Sequence, residues 1–352
     1  MSGESAPERQ QRRASILTVR LQEVSSTMSK RALRNFFLAL SLIPLGWALI
    51  HTVRGGIELP APKWSEADLV PLPYAADNAW YAMWPLEKMP AFALDIEARD
   101  DGSPILEKDR ATIEAELNRG EVQELLATLP DVLERAALAH PVEVEPGNNK
   151  ALRPHRWWAW VELSLASQLE TRPGLVAERL TKLFPLWVSC ANPARTTVHY
   201  FICADAAKRA LLLMARAASV LSRSGDTRGL EQMRAMLLDT PVVSPSNQER
   251  AEYIELYGVV DSLVSDNIPF MIDLRDTVET LNRYFDPVLV EGLCASWFDR
   301  PRTPLYAYNF IGRQLATDLS TSVCTSRGAV QKVTRALKEA RAALAEQLES
   351  QL

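Results

Sequence analysis

The chain has 352 residues, 47% of them hydrophobic, with glycine scarce at 14; that is apolar content for a sizeable core, and it excludes a disordered chain. Its 39 Lys and Arg against 44 Asp and Glu give a net charge of -5, interspersed along the large C-terminal part, and without a concentrated basic face nucleic acid is excluded as a partner. Ala, Leu, Glu, Gln, Arg and Met dominate and alternating β-branched runs are almost absent, which predicts an all-α fold.

Residues 1–34 carry seven basic groups (Arg9, Arg12, Arg13, Arg20, Lys30, Arg31, Arg34) against Glu4, Glu8 and Glu23, a balance of +4 that leaves -9 for the remainder. This reads as a basic cytoplasmic tail, whose "RQQRR" is solvated or touches anionic headgroups. Met28 opens a second compact basic start, "MSKRALRNFF", so translation beginning there is an alternative.

From Asn35 to Val53 there are 19 residues without a formal charge, about 28 Å of helix at 1.5 Å per residue, close to the hydrocarbon thickness of a bilayer. Lys30, Arg31 and Arg34 flank its start and Trp47 and His51 lie toward its end. Positive charge stays inside, so the expectation is a signal-anchor with the N-terminus cytoplasmic and the bulk outside. A cleaved signal, favoured by Pro44 and Gly46, is the alternative; the apolar run exceeds a signal core and no A-x-A pattern follows. The absence of any N-x-S/T sequon points to a bacterial inner membrane with a periplasmic body.

Residues 54–104 are proline-rich and aperiodic, a juxtamembrane arm whose Trp64, Tyr74, Trp80, Tyr81 and Trp84 pack back on the body or grip a neighbour. "DNAWYAMW" reads as a short helix capped by Asp77 or Asn78. Residues 105–352 form the helical domain, with helices expected at about 105–118, 120–139, 152–171, 174–191, 198–223, 228–239, 247–264, 275–284, 287–298, 308–320 and 327–350. Ser246 and Glu249 have capping-box spacing and Gly225 ends a helix. "AKRALLLMARAASVLSRSGDTRGLEQMRAMLLDTP" resembles a TPR-type unit, but no second copy recurs in register. The fold class expected is therefore one N-terminal transmembrane helix followed by an irregular multi-helix domain, bundle-like or solenoid-like.

Cys190, Cys203, Cys294 and Cys324 all follow the candidate anchor, and an even count in an oxidising compartment implies disulfides. Local pairing, Cys190 with Cys203 and Cys294 with Cys324, is the most economical. His199 shares a helical face with Cys203, but no fourth ligand is evident, so no metal site is assigned. Trp157, Trp158 and Trp160 form a candidate sugar platform, yet their 3–4 spacing with Val161, Leu165 and Leu169 favours core packing. Glu249, Glu252 and Glu255 read as a solvated face opposite Tyr253, Leu256, Tyr257 and Val260, and His140 and His155 carry no sign of a role.

No G-x-S-x-G, H-E-x-x-H or glycine-rich phosphate loop occurs, so no catalytic residue and no cofactor is assigned. Recognition is the better fit. Arg300, Arg302, Tyr306 and Tyr308 lie in the proline-stiffened stretch 297–313, and these side-chain types are enriched at interfaces. Leu337, Leu344 and Leu348 belong to an amphipathic C-terminal helix that needs its own bundle or another chain as partner, a homo-oligomer included. The functional expectation is a membrane-anchored periplasmic scaffold, assembly factor or chaperone, binding the bilayer through 35–53 and an envelope protein through the body. The alternatives are an enzyme on envelope polymers without a local motif and a TPR-like binding solenoid.

Overall fold

The computed structural model describes residues 59–91, 110–140, 153–265, 273–286, 289, 294 and 309–352. These are all-α: helices, short 3-10 turns and connecting chain, with one isolated parallel bridge between Asn78 and Ala137. The candidate anchor 35–53, the loop bearing Arg300, Arg302, Tyr306 and Tyr308, and the expected helix at 287–298 except for Leu289 and Cys294 lie outside the described residues. Among the described residues no helix is long and apolar enough to cross a membrane.

In chain order the helices are α1 (Arg110–Leu117), α2 (Gly120–Leu126), α3 (Leu129–Leu133), α4 (Arg153–Gln168), α5 (Pro173–Ala191), α6 (Thr197–Ser224), α7 (Thr227–Asp239), α8 (Ser246–Ser265), α9 (Leu274–Tyr284) and α10 (Phe310–Gln351). Two compact units divide them. The larger comprises Ala61–Val260, Leu281–Arg300 and Thr317–Leu352; the smaller comprises Met1–Pro60, Asp261–Thr280 and Pro301–Ala316.

In the larger unit α6 packs most extensively on α5, and α7 leans on both. The α6–α7 turn has the expected form. Gly225 adopts φ 73, the left-handed conformation that closes a helix C-terminus, because only glycine enters it without a Cβ penalty. Asp226 then caps α7, its carboxylate accepting from Gly229 N at 3.1 Å. Gly229 sits at the crossing, where a Cβ would meet Leu221 Cδ1 at 2.9 Å. Helix α4 flanks α6, and α1 and α2 cover α4.

Three expected boundaries are corrected. The helix expected over 120–139 divides into α2 and α3, since Pro130 has no N–H to continue a ladder and instead occupies the first turn of α3. The pair expected at 308–320 and 327–350 is one 42-residue helix. The Ser, Thr and Gly stretch at 320–328 does not break it: a Cβ at Gly328 would meet open space, and Ser326 returns its hydroxyl to Val323 O at 3.2 Å. Ser246 is not an N-cap either; Glu249 N bonds Pro245 O at 3.0 Å, so Pro245 holds the cap position and Ser246 is the first helical residue.

The segment 61–91 is a strap within the larger unit, whose Trp64, Trp80 and Trp84 pack back on the body while Tyr74 and Tyr81 are exposed. Lys63 N donates to Tyr253 Oη at 2.8 Å and its ammonium to Phe285 O at 3.1 Å, beside the C-terminus of α9. Trp64 sits edge-on against both Tyr253 and Phe285. Val70 N bonds Asn247 Oδ1 at 2.7 Å. Asn78 caps the 3-10 turn Ala79–Tyr81 and pairs with Ala139 through both its amide atoms. Ala79, Trp80 and Met83 join the apolar core, and the Arg153 side chain donates to the carbonyls of Met83 and Trp84.

Candidate functional site

The four cysteines form the two local bridges: Cys190 with Cys203, Cα atoms 5.5 Å apart, and Cys294 with Cys324, 5.3 Å apart. The first joins the end of α5 to the second turn of α6, where both residues are buried. It consumes the thiolates that a metal site with His199 would require. Among the described residues no group of three or more His, Cys, Asp or Glu side chains is arranged to hold a metal ion.

One turn before Cys203, His199 lies in the first turn of α6, its amide capped by Thr196 Oγ1 at 3.2 Å. Its ring stacks on that of His140, centroids 3.6 Å apart and planes 19° from parallel. His140 in turn meets Trp80 of the strap, centroids 4.3 Å apart. Burial, reinforced by the neighbouring His140, lowers the His199 pKa to about 4. His199 is thus a neutral imidazole at pH 7. Sequence gave no signal for it, because 140 and 199 meet only through the fold.

The tryptophan group is core. Trp157, Trp158 and Trp160 are each no more than 1% exposed, and Trp158 meets Trp187 edge to face at 5.6 Å. Trp157 Nε1 donates to Thr128 Oγ1 at 3.0 Å. No face remains for a sugar ring. The C-terminal leucines are likewise inside: Leu337, Leu344 and Leu348 are 3%, 1% and 0% exposed within the chain's own core cluster. Of the two partners open to this stripe, its own bundle covers it.

Polar groups line the seams. Glu162 of α4 pairs with Arg209 of α6 at 2.5 Å; burial raises the Glu162 pKa against the opposing pull of Arg209. Tyr200 Oη lies 2.5 Å from Thr334 Oγ1, linking α6 to α10. The solvated-face reading of the α8 glutamates holds for Glu255, which is exposed, and fails for Glu252. Glu252 accepts from Gln248 Nε2 at 2.9 Å and from Ser326 Oγ of α10 at 3.4 Å, and burial raises its pKa. Arg327 approaches Glu249 at 3.7 Å. These groups are bonded to one another as a structural seam.

In the smaller unit, Asn309 is fully buried at φ 51. Its Oδ1 accepts from Asp273 N at 2.8 Å, and its Nδ2 donates to Asp273 O, Asp276 Oδ2 and Thr277 Oγ1 at 3.0, 2.8 and 3.1 Å. Arg313 grips Asp276 with a two-pronged fork at 2.7 and 2.8 Å. Asp273 Oδ1 accepts from Asp276 N at 3.1 Å and so caps α9. The cluster clasps the start of α10 to the start of α9.

No protein-family model, no curated protein and no solved structure matches this chain.

Proposed function

We propose that this protein is a membrane-anchored, extracytoplasmic helical interaction protein: a scaffold, assembly factor or chaperone held at a bacterial inner membrane by residues 35–53. The carrying observation is that both disulfide bridges, which use all four cysteines, fall beyond the uncharged stretch, and stable disulfides belong to oxidising compartments. Lys30, Arg31 and Arg34 ahead of that stretch support the orientation. A binding role rather than a catalytic one is supported by the fate of the reactive side chains. The cysteines are bonded, the tryptophans of α4 are buried, and the seam carboxylates Glu252 and Glu162 are hydrogen-bonded and ion-paired, respectively, within the body.

Reporter fusion after residue 352 tests the topology. An alkaline phosphatase fusion is expected to be active and a green fluorescent fusion dark; the reverse pattern ends the proposal. In the same cells, thiol-reactive labelling of the denatured protein is expected only after reduction.

A further inference from the structure

The stacked imidazoles stand where three elements meet. His140 lies in the chain that follows α3, His199 belongs to the first turn of α6, and Trp80 belongs to the strap. Immediately beside them lie the hydrogen bonds that seat the strap: Ala79 N to Ala137 O at 2.8 Å, Ala137 N to Asp77 O at 3.2 Å, and Ala139 N to Asn78 Oδ1 at 3.0 Å. Leu138 N is fixed separately by Ser189 Oγ of α5 at 2.9 Å. A disturbance of the stack therefore acts on the contact between the strap and segment 134–140.

We propose that the His140–His199 stack is an acid-sensitive latch, which holds the strap at Asn78–Trp80 against segment 134–140 while His199 is neutral and loosens it when His199 protonates. Burial disfavours a cationic His199, and the His140 ring at stacking distance adds to that. The first turn of a helix adds partial positive charge from its unpaired N–H groups, further opposing a cationic His199. The charged groups described on the surrounding elements are engaged with other partners or exposed. Arg135 donates to Ala76 O and Arg195 pairs with Glu66 at 2.9 Å, while Asp77 and Glu134 are exposed. Cys190 and Cys203 are bonded and carry no charge. Among the described residues, the charge acting on His199 is that of His140.

A histidine whose folded pKa is about 4, against 6.5 when exposed, leaves the closed latch fully stable above pH 6.5. The opened form gains as pH falls from there toward 4. Between pH 7.5 and 5.0 the opening equilibrium is expected to rise on the order of tenfold. The latch depends on the fold alone, so it stands or falls independently of the membrane reading.

Amide hydrogen exchange on the full chain, corrected for intrinsic exchange rates, tests this at Ala79, Ala137 and Ala139, with amides inside α5 as reference. The expected result is a fall in protection on the order of tenfold between pH 7.5 and 5.0 at the three amides and not in α5, abolished in His199→Gln. Unchanged protection in the wild type, or an equal fall in the variant, overturns the latch. Should His199→Gln not fold, His199→Ala decides by the same criterion. Should neither fold, the wild-type fall must track the His199 ring-proton titration, and a separate midpoint overturns the proposal.

Discussion

Asn309 shows how much one side chain can hold. It occupies a left-handed backbone position, which Asn tolerates better than other residues with a Cβ, and its side-chain amide joins Asp273, Asp276 and Thr277. Asn309→Ala leaves the Asp273 amide without its acceptor and adds backbone strain, so a loss of about 3 kcal/mol in urea unfolding is expected. Gly312→Ala fails for a steric reason at the same place: its Cβ would collide with Thr277 Oγ1 and the Asn309 amide. Glu252 behaves oppositely. Burial raises its folded pKa above the unfolded value, so its penalty is absent in acid and grows as pH rises through the folded pKa. Glu252→Gln is therefore expected to raise Tm by roughly 1–3 °C at pH 7 and to change nothing at pH 3.5; a lower Tm at pH 7 would show that the charge is stabilising.

Helix identity was legible in the sequence wherever a 3.6-residue apolar period was uninterrupted, and boundaries failed where a local rule competed with packing. Helices α4 to α7 have strong stripes, and Gly225 and Asp226 mark their turn unambiguously. The polar run at 320–328 imitates a loop, yet α10 continues because its flanks are held by contacts the sequence does not display. Cys324 is bonded to Cys294, and Val323 and Val330 are buried on either side. The end of α7 is another such contact. Arg341 of α10 reaches across to the carbonyls of Leu237, Thr240 and Pro241, satisfying acceptors that a helix C-terminus leaves open. A lysine there cannot supply the planar fork. Arg341→Lys is expected to cost about 1 kcal/mol and Arg341→Ala about 2 kcal/mol in denaturant unfolding. Equal stability of all three would mean that water serves those carbonyls as well.

At the scale of the molecule, the decisive question is where the folded body begins. Composition places a border near 104, because proline and aromatic residues upstream show no helical period. That criterion sees regular structure, not burial, and the strap is irregular but inside. Trp80 is 4% exposed, Met83 2% and Ala79 0%. Burying a large apolar side chain contributes about 1.5–3 kcal/mol, so Trp80 and Met83 together amount to about 4 kcal/mol, a large part of a typical net stability of about 5–15 kcal/mol. Removing the strap also takes away one partner each of Asn247 and Tyr253 and the bonds that Arg153 and Ala139 make to it. A chain starting at residue 59 is accordingly expected to melt cooperatively with a sharp near-ultraviolet circular dichroism signal. One starting at residue 92, with both disulfides intact, is expected to keep helical far-ultraviolet signal, lose the near-ultraviolet signal and bind a hydrophobic dye. If the shorter chain melted as sharply and as high as the longer, the strap would be a passenger on the fold, and the latch that seats it would have nothing to control.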